Sequence, residues 1–260
     1  MSYVGVKPRT GGKLTEIVSK TTERNWPSER TVYPENWVAL LDDNDYGLGI
    51  HNPQTCVSGG GFAGGVQNMG TGGPKDRQTC VLSFTTPAIL DYNIVYTFNF
   101  SLIVGNVEEI RKTALALDAK VDHKRFDFTE DRKNFYYKDT TDKGFGNQDC
   151  LDFDFRDGVW LRSPYIFVSE GECKRILLDA AIDGGEIEGT VDVYCFAETT
   201  RPMHENTPCH WMSVPFKLCG DGVRKIHEID TSAIKEPFIC TNIVFKTEGH
   251  AKIYSFEFKE

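Results

Sequence analysis

The side chains with the plainest capacity for chemistry crowd into one short stretch. Glu35, Asp42 and Asp43 flank the apolar run Trp37-Val38-Ala39-Leu40-Leu41, and His51 follows Gly47-Leu48-Gly49-Ile50. Cleavage at a glycosidic bond needs groups that give and take protons on opposite sides of that bond, and two carboxyl groups or a carboxyl and an imidazole supply them. The same residues have a plainer explanation. Asp42-Asp43-Asn44-Asp45 is also what a tight turn requires, because short polar side chains bond back to their own backbone. A histidine at a strand end needs no catalytic role. Tryptophans offer a second chemistry, since a flat aromatic face stacks on the C–H face of a sugar ring. Trp37 sits in an apolar run and reads as core. Trp26, beside Pro27 in a polar stretch, reads as exposed, while Trp160 and Trp211 fit either role. Asn52, next to His51, would add hydrogen bonds to such a ligand.

Metal and phosphate chemistry find less support. The aspartate tetrad lacks the D-x-D-x-D-G…E spacing of a calcium loop, so a structural calcium ion is conceivable but unsupported. No two of the eight cysteines are closer than ten residues, which excludes zinc-ribbon and iron–sulfur spacing. His204-Glu205 and Cys209-His210 lie around a Pro-bounded loop and match no zinc pattern. The expectation is therefore no metal and no cofactor. The cysteines read as buried thiols, with disulfides as the alternative. The glycine-rich stretch 59–73 is not a P-loop and reads as a flexible loop or lid. Acidic residues (38) outnumber basic ones (29), giving a net charge of −9, which argues against nucleic acid. No apolar run approaches the ~20 residues of a membrane span. The opening Met1–Arg9 lacks the apolar core of a secretory signal. Together with the thiols, that tips the expected compartment towards the cytoplasm without settling it.

The elements that must carry these residues are mostly strands. Trp37–Leu41 and Leu48–Asn52 form a hairpin around the aspartate turn. Strand candidates follow at Thr79–Thr85, Asp91–Phe98 and Phe100–Val104. Asn106 with Glu109 is a capping box, and Ile110, Ala114 and Leu117 recur at helical spacing, so the spacing predicts a short helix over 107–118. Residues 119–149 are charged and turn-rich and read as a linker. Beyond it, Leu151-Asp152-Phe153-Asp154-Phe155 alternates strictly. Arg175–Ala181, Thr190–Ala197, Trp211–Leu218, Arg224–Ile229, Ile239–Thr247 and Lys252–Phe258 follow as strands separated by Gly and Asp turns. The fold class is all-β: two β-sandwich, jelly-roll-like domains, 1–148 and 149–260, with one short helix.

The block Glu35-Asn36-Trp37-Val38-Ala39-Leu40-Leu41-Asp42 … Tyr46-Gly47-Leu48-Gly49-Ile50-His51-Asn52-Pro53 resembles one found in large, mostly uncharacterised bacterial β-sandwich proteins of polysaccharide-using organisms. Leu102–Arg111 and Gly5-x-Lys7-Pro8-x-Thr10-Gly11 extend the resemblance over roughly residues 3–118. The second half, with Cys219-Gly220-Asp221-Gly222 before a strand and a terminal Tyr254-Ser255-Phe256-Glu257-Phe258, is similar in pattern to galactose-binding-like modules. These resemblances imply a polysaccharide or oligosaccharide partner and supply no catalytic residues. Three expectations follow. The first is a glycan-binding protein using Trp26, Asn52, Trp160 and Trp211. The second is a glycoside hydrolase or polysaccharide lyase using Glu35, Asp42, Asp43 and His51. The third is a structural remnant, truncated in its first sandwich, that has lost its cleft.

Overall fold

A computed structural model describes residues 2–6, 14–17, 30–63, 79–86, 97–129, 131–143, 149–196 and 209–260. They form strands with a single helix, so the fold is all-β. Trp26, the His204-Glu205 pair and the core of the expected strand at 91–98 lie outside the described residues. Among the described residues no helix is long and apolar enough to cross a membrane. The chain divides into two compact units. One takes the residues up to Thr85 with Asn99–Val121, and the other takes Asp122–Phe196 and Cys209–Glu260 with the short segment before Asn99.

The first unit carries β1 (Ser2–Val6), β2 (Leu14–Ile17), β3 (Arg30–Val32), β4 (Trp37–Leu41), β5 (Tyr46–His51), β6 (Val57–Ala63), β7 (Thr79–Phe84), β8 (Ser101–Asn106) and α1 (Val107–Asp118). Strands β2-β1-β4-β5-β8 form one sheet and β3-β6-β7 another. β4 is buried along its whole length. Alternate residues of a strand face opposite sides, and here both sides are covered. Trp37, Ala39 and Leu41 pack with Ile110 and Ala114 of α1. Val38 and Leu40 pack with Tyr33 and with Leu82 and Phe84 of β7. The helix starts and stops where its sequence directs: Asn106 accepts from the Glu109 backbone and the Glu109 side chain returns the bond. It lies close on β5 because Gly49 has no side chain, and a Cβ there would fall 2.3 Å from Ile110 Cγ2.

The glycine-rich stretch requires a correction. Gly59, Gly60 and Gly61 belong to β6, the central strand of its sheet, paired with β3 on one side and β7 on the other. A ladder is made of backbone groups and needs no side chain, so flanking strands can hold a segment whose composition alone reads as loop. Residues 64–73 lie outside the described residues.

The second unit carries β9 (Arg125–Asp127), β10 (Tyr136–Lys138), β11 (Leu151–Phe155), β12 (Trp160–Arg162), β13 (Arg175–Phe196), β14 (Cys209–Asp221), β15 (Lys225–Asp230), β16 (Phe238–Phe245) and β17 (Gly249–Lys259). All nine join one antiparallel network. β9 and β10 fall within the stretch 119–149 expected as a linker, and the expected joint near 148 falls inside this unit, which runs on from Asp122. The two strands expected at 175–181 and 190–197 are a single strand of 22 residues. It bends at Gly184 and Gly185, whose φ values of +142° and +78° suit glycine. Before the bend β13 pairs with β15 and β17, and after it with β14 and β16. That change of partners folds the network into two facing layers. Phe155 of β11 stacks on Phe245 of β16 with ring centroids 4.1 Å apart, filling the space between them.

Strict alternation in β11 predicts Asp152 facing water. It is buried instead, with its carboxylate 3.1 Å from His250 Nε2 and 3.6 Å from Lys252 Nζ on β17. Cross-strand charges make that burial tolerable.

Candidate functional site

The hairpin residues singled out from the sequence divide between its two ends, Glu35 and His51 at one and Asp42 and Asp43 at the other. Trp37 pairs with His51 at one end of the β4–β5 hairpin, and Leu41 pairs with Gly47 at the other. At about 3.3 Å per residue, Asp42 stands roughly 16 Å along the strand from Trp37, with Asp43 beyond it on the turn. Asp42 is a turn residue. Its Oδ1 accepts from the Asn44 and Tyr46 backbone at 2.8 and 3.0 Å, and these bonds hold its carboxyl below the usual range. Asp43 is exposed on the same turn. Glu35 accepts from Trp37 Nε1 at 2.8 Å and from Arg111 Nε and a terminal guanidinium nitrogen at 3.0 and 2.6 Å. It ties the sheet to α1. Asn52 is buried and its Oδ1 accepts from the Gln54 backbone.

His51 is paired with a carboxylate. Its Nε2 lies 2.8 Å from Asp118 Oδ1, and Asn36 donates to the same oxygen at 3.3 Å. A carboxylate beside an imidazole is how a general base is oriented. Yet His51 is 2% exposed, which suits a clasp between β5 and the last residue of α1. Asp118 and Arg111 were not legible as partners. They sit on a helix whose docking onto the hairpin only the fold decides.

The second unit does gather residues. On β12, Leu161 points into the core, so Trp160 and Arg162 share the opposite face. Across the sheet, Tyr136 pairs with Arg162, Arg162 with Asn242, Asn242 with Asp192, and Asp192 with Ser213. This is one polar row over five strands, backed by the apolar row Tyr137, Leu161, Ile243 and Val191. Arg162 is its centre. Its guanidinium carbon lies 4.2 Å from the Trp160 ring centroid, 5.5 Å from that of Trp211 and 5.6 Å from that of Tyr136. Arg162 Nε donates to Asn242 Oδ1 at 2.5 Å and another guanidinium nitrogen donates to the Tyr136 hydroxyl at 3.0 Å. Trp211 is 45% exposed, its ring held 4.8 Å from that of Tyr194.

Burial holds two ionisable groups of this face in their neutral forms. Burial raises the Tyr136 phenol, against the opposing pull of Arg162. Burial pushes the Cys240 thiol up to about 12. Both stay neutral near pH 7, so neither is a ready base or nucleophile. Asp192 Oδ1 is buried and accepts no hydrogen bond among the described residues. Such an oxygen loses solvation unless a donor arrives. Sequence periodicity holds part of this site, since Trp160 and Arg162 are two apart in a strand. Nothing in it joins them to Tyr136, Asp192, Trp211 or Asn242, which come from four other strands.

The fold is all-β, and this face of the second unit sets aromatic and polar side chains together on one side of a sheet. No family model and no curated protein matches the chain. Among solved structures, it aligns with the glycoside hydrolase domain of Endo-D from Streptococcus pneumoniae R6 at 15% identity and a TM-score of 0.26. The alignment spans 48% of this chain and 20% of that one. A score so low bears on neither the site nor its chemistry.

Proposed function

We propose that the protein binds a carbohydrate on the Trp160–Arg162–Trp211 face of its second unit. The observation that carries this reading is the arrangement around Arg162: a cation fixed against three aromatic rings on the outward side of a sheet. Sugars present apolar C–H faces and a rim of hydroxyls. Exposed Trp211 offers a stacking surface, while Arg162 has N–H groups beyond those used on Asn242 and Tyr136. Rigid aromatic anchors with a few fixed polar groups are the usual make-up of a small-ligand site. The binding role needs no cofactor.

A panel of polysaccharides and oligosaccharides, assayed together for binding and for new chain ends, tests the reading. Binding without product, weakened by Trp211→Ala, is the expected result. Release of new chain ends that disappears in His51→Ala would instead favour the hydrolase or lyase reading, with His51 and Asp118 as its acid–base pair. Failure of every glycan to bind would remove the carbohydrate reading altogether.

A further inference from the structure

On the side of β13 and β14 away from the aromatic face, three metal-ligating groups meet. Cys195 Sγ, a His210 ring nitrogen and a Glu236 carboxylate oxygen all lie within 4.8 Å of one another. His210 Nε2 is 3.3 Å from Glu236 Oε1. We propose that these three side chains bind a zinc-like divalent cation.

The topology explains why they converge. Cys195 pairs with His210 on β14 and, on its other side, with Phe238 at the start of β16. Directly opposed residues share a face of a sheet, so His210 extends on the same side as the thiol. Glu236 lies two residues before Phe238 and reaches the same place from the loop that enters β16. The register between β13 and β16 shifts at Val193/Cys195. Such bulges re-aim side chains and recur beside functional sites. Tyr194 and Trp211, one residue along each strand, face the opposite way. The cation site is therefore separate from the proposed sugar face, and either can fail without the other.

The donor set chooses the ion. A thiolate, an imidazole and a carboxylate suit zinc and its borderline-soft neighbours, whereas calcium and magnesium take oxygen. Bonds of about 2.0–2.3 Å to a tetrahedral ion place neighbouring donors roughly 3.5 Å apart. The His210–Glu236 separation already meets this. Closing the set onto the buried thiol requires rotation of those two side chains, which are 50% and 41% exposed. Binding removes the thiol proton, and the metal–sulfur bond takes its place. Three protein donors leave a fourth position for water or another ligand. No sequence motif announces the set, because its members are far apart in the chain.

Cobalt is the probe, since a thiolate bonded to it absorbs in the near ultraviolet. The metal-free full chain is titrated with Co2+ and then challenged with Zn2+. The expected result is one equivalent of cobalt with a thiolate charge-transfer band that zinc displaces. His210→Ala and Glu236→Gln should each weaken cobalt binding by about tenfold or more. Cys195→Ser should abolish the band, and Cys219→Ser, at an exposed thiol elsewhere, should leave it intact. Absence of the band overturns the proposal, as does a band that survives Cys195→Ser or vanishes with Cys219→Ser. Should Cys195→Ser not fold, the two variants at exposed side chains decide: unchanged affinity in both overturns the site.

Discussion

The β4–β5 hairpin with α1 in the first unit and the β12–β16–β13–β14 face of the second each bring tryptophan, arginine and carboxylate together, yet they use them in opposite ways. Around the hairpin the polar groups are spent on one another. Glu35 is taken by Arg111 and Trp37, Asp42 by its own turn, and His51 by Asp118. Its tryptophan is fully buried. On the second face Trp211 stands exposed beside the Arg162 guanidinium. The difference teaches that residue type marks a capacity, while the number of partners already engaged decides whether that capacity is turned inward or outward.

The strongest way to break the comparison is to empty the hairpin core. Trp37→Ala removes a fully buried indole that packs against α1 and should cost about 3–5 kcal/mol. Calorimetry of the full chain should show an early-melting transition, with glycan affinity at the second face retained at temperatures below it. A loss of that affinity without unfolding would place ligand chemistry at the hairpin after all. Next in size, Trp211→Ala and Arg162→Met should each lower glycan affinity about tenfold or more, near 1.4 kcal/mol, with little change in melting for the exposed Trp211. Equal affinity in both variants would leave the contrast between the two regions without a functional meaning.

The capping box sharpens the comparison on the structural side. Asn106→Ala should destabilise the first unit by about 1 kcal/mol, because the Glu109 backbone N–H at the start of α1 loses its side-chain acceptor. Sugar binding should not respond. The smallest effect concerns pH. His227 of β15 is buried and burial lowers its pKa below the ordinary 6.5. The unfolded chain therefore takes up the proton first. Stability from the neutral imidazole is complete above about 6.5 and is lost as pH falls through the lowered folded value. His227→Gln should flatten that acid limb of a stability–pH profile, and an unchanged slope would assign the acid sensitivity to other groups.

Much of the local structure was legible because its causes are local. The helix over 107–118 follows from Asn106, Glu109 and the spacing of Ile110 and Ala114. The hairpin follows from an aspartate turn between apolar runs, and Asp45 in the left-handed region (φ 58°) is what that turn needed. Where partners outweigh local preference, legibility fails. The glycines of β6 are strand because β7 pairs with all three and β3 with Gly59, and β13 is one strand because Gly184 and Gly185 bend the chain instead of ending it. The same holds for the sites. Trp160 and Arg162 share a face by simple alternation, but the row through Tyr136, Asn242 and Asp192 exists only through sheet register.

By itself, the sequence determined an all-β chain with one capped helix, the hairpin and its turn, and a stock of tryptophans and acids. These are consequences of spacing and short-range bonding, which act over a few residues. Tertiary structure alone decided that Glu35 and His51 are tied to α1, that Arg162 lies among three rings, and that Cys195 meets His210 and Glu236. Each of these depends on strand register and helix docking between distant segments, and those are set by burying a common core rather than by any residue's nearest neighbours.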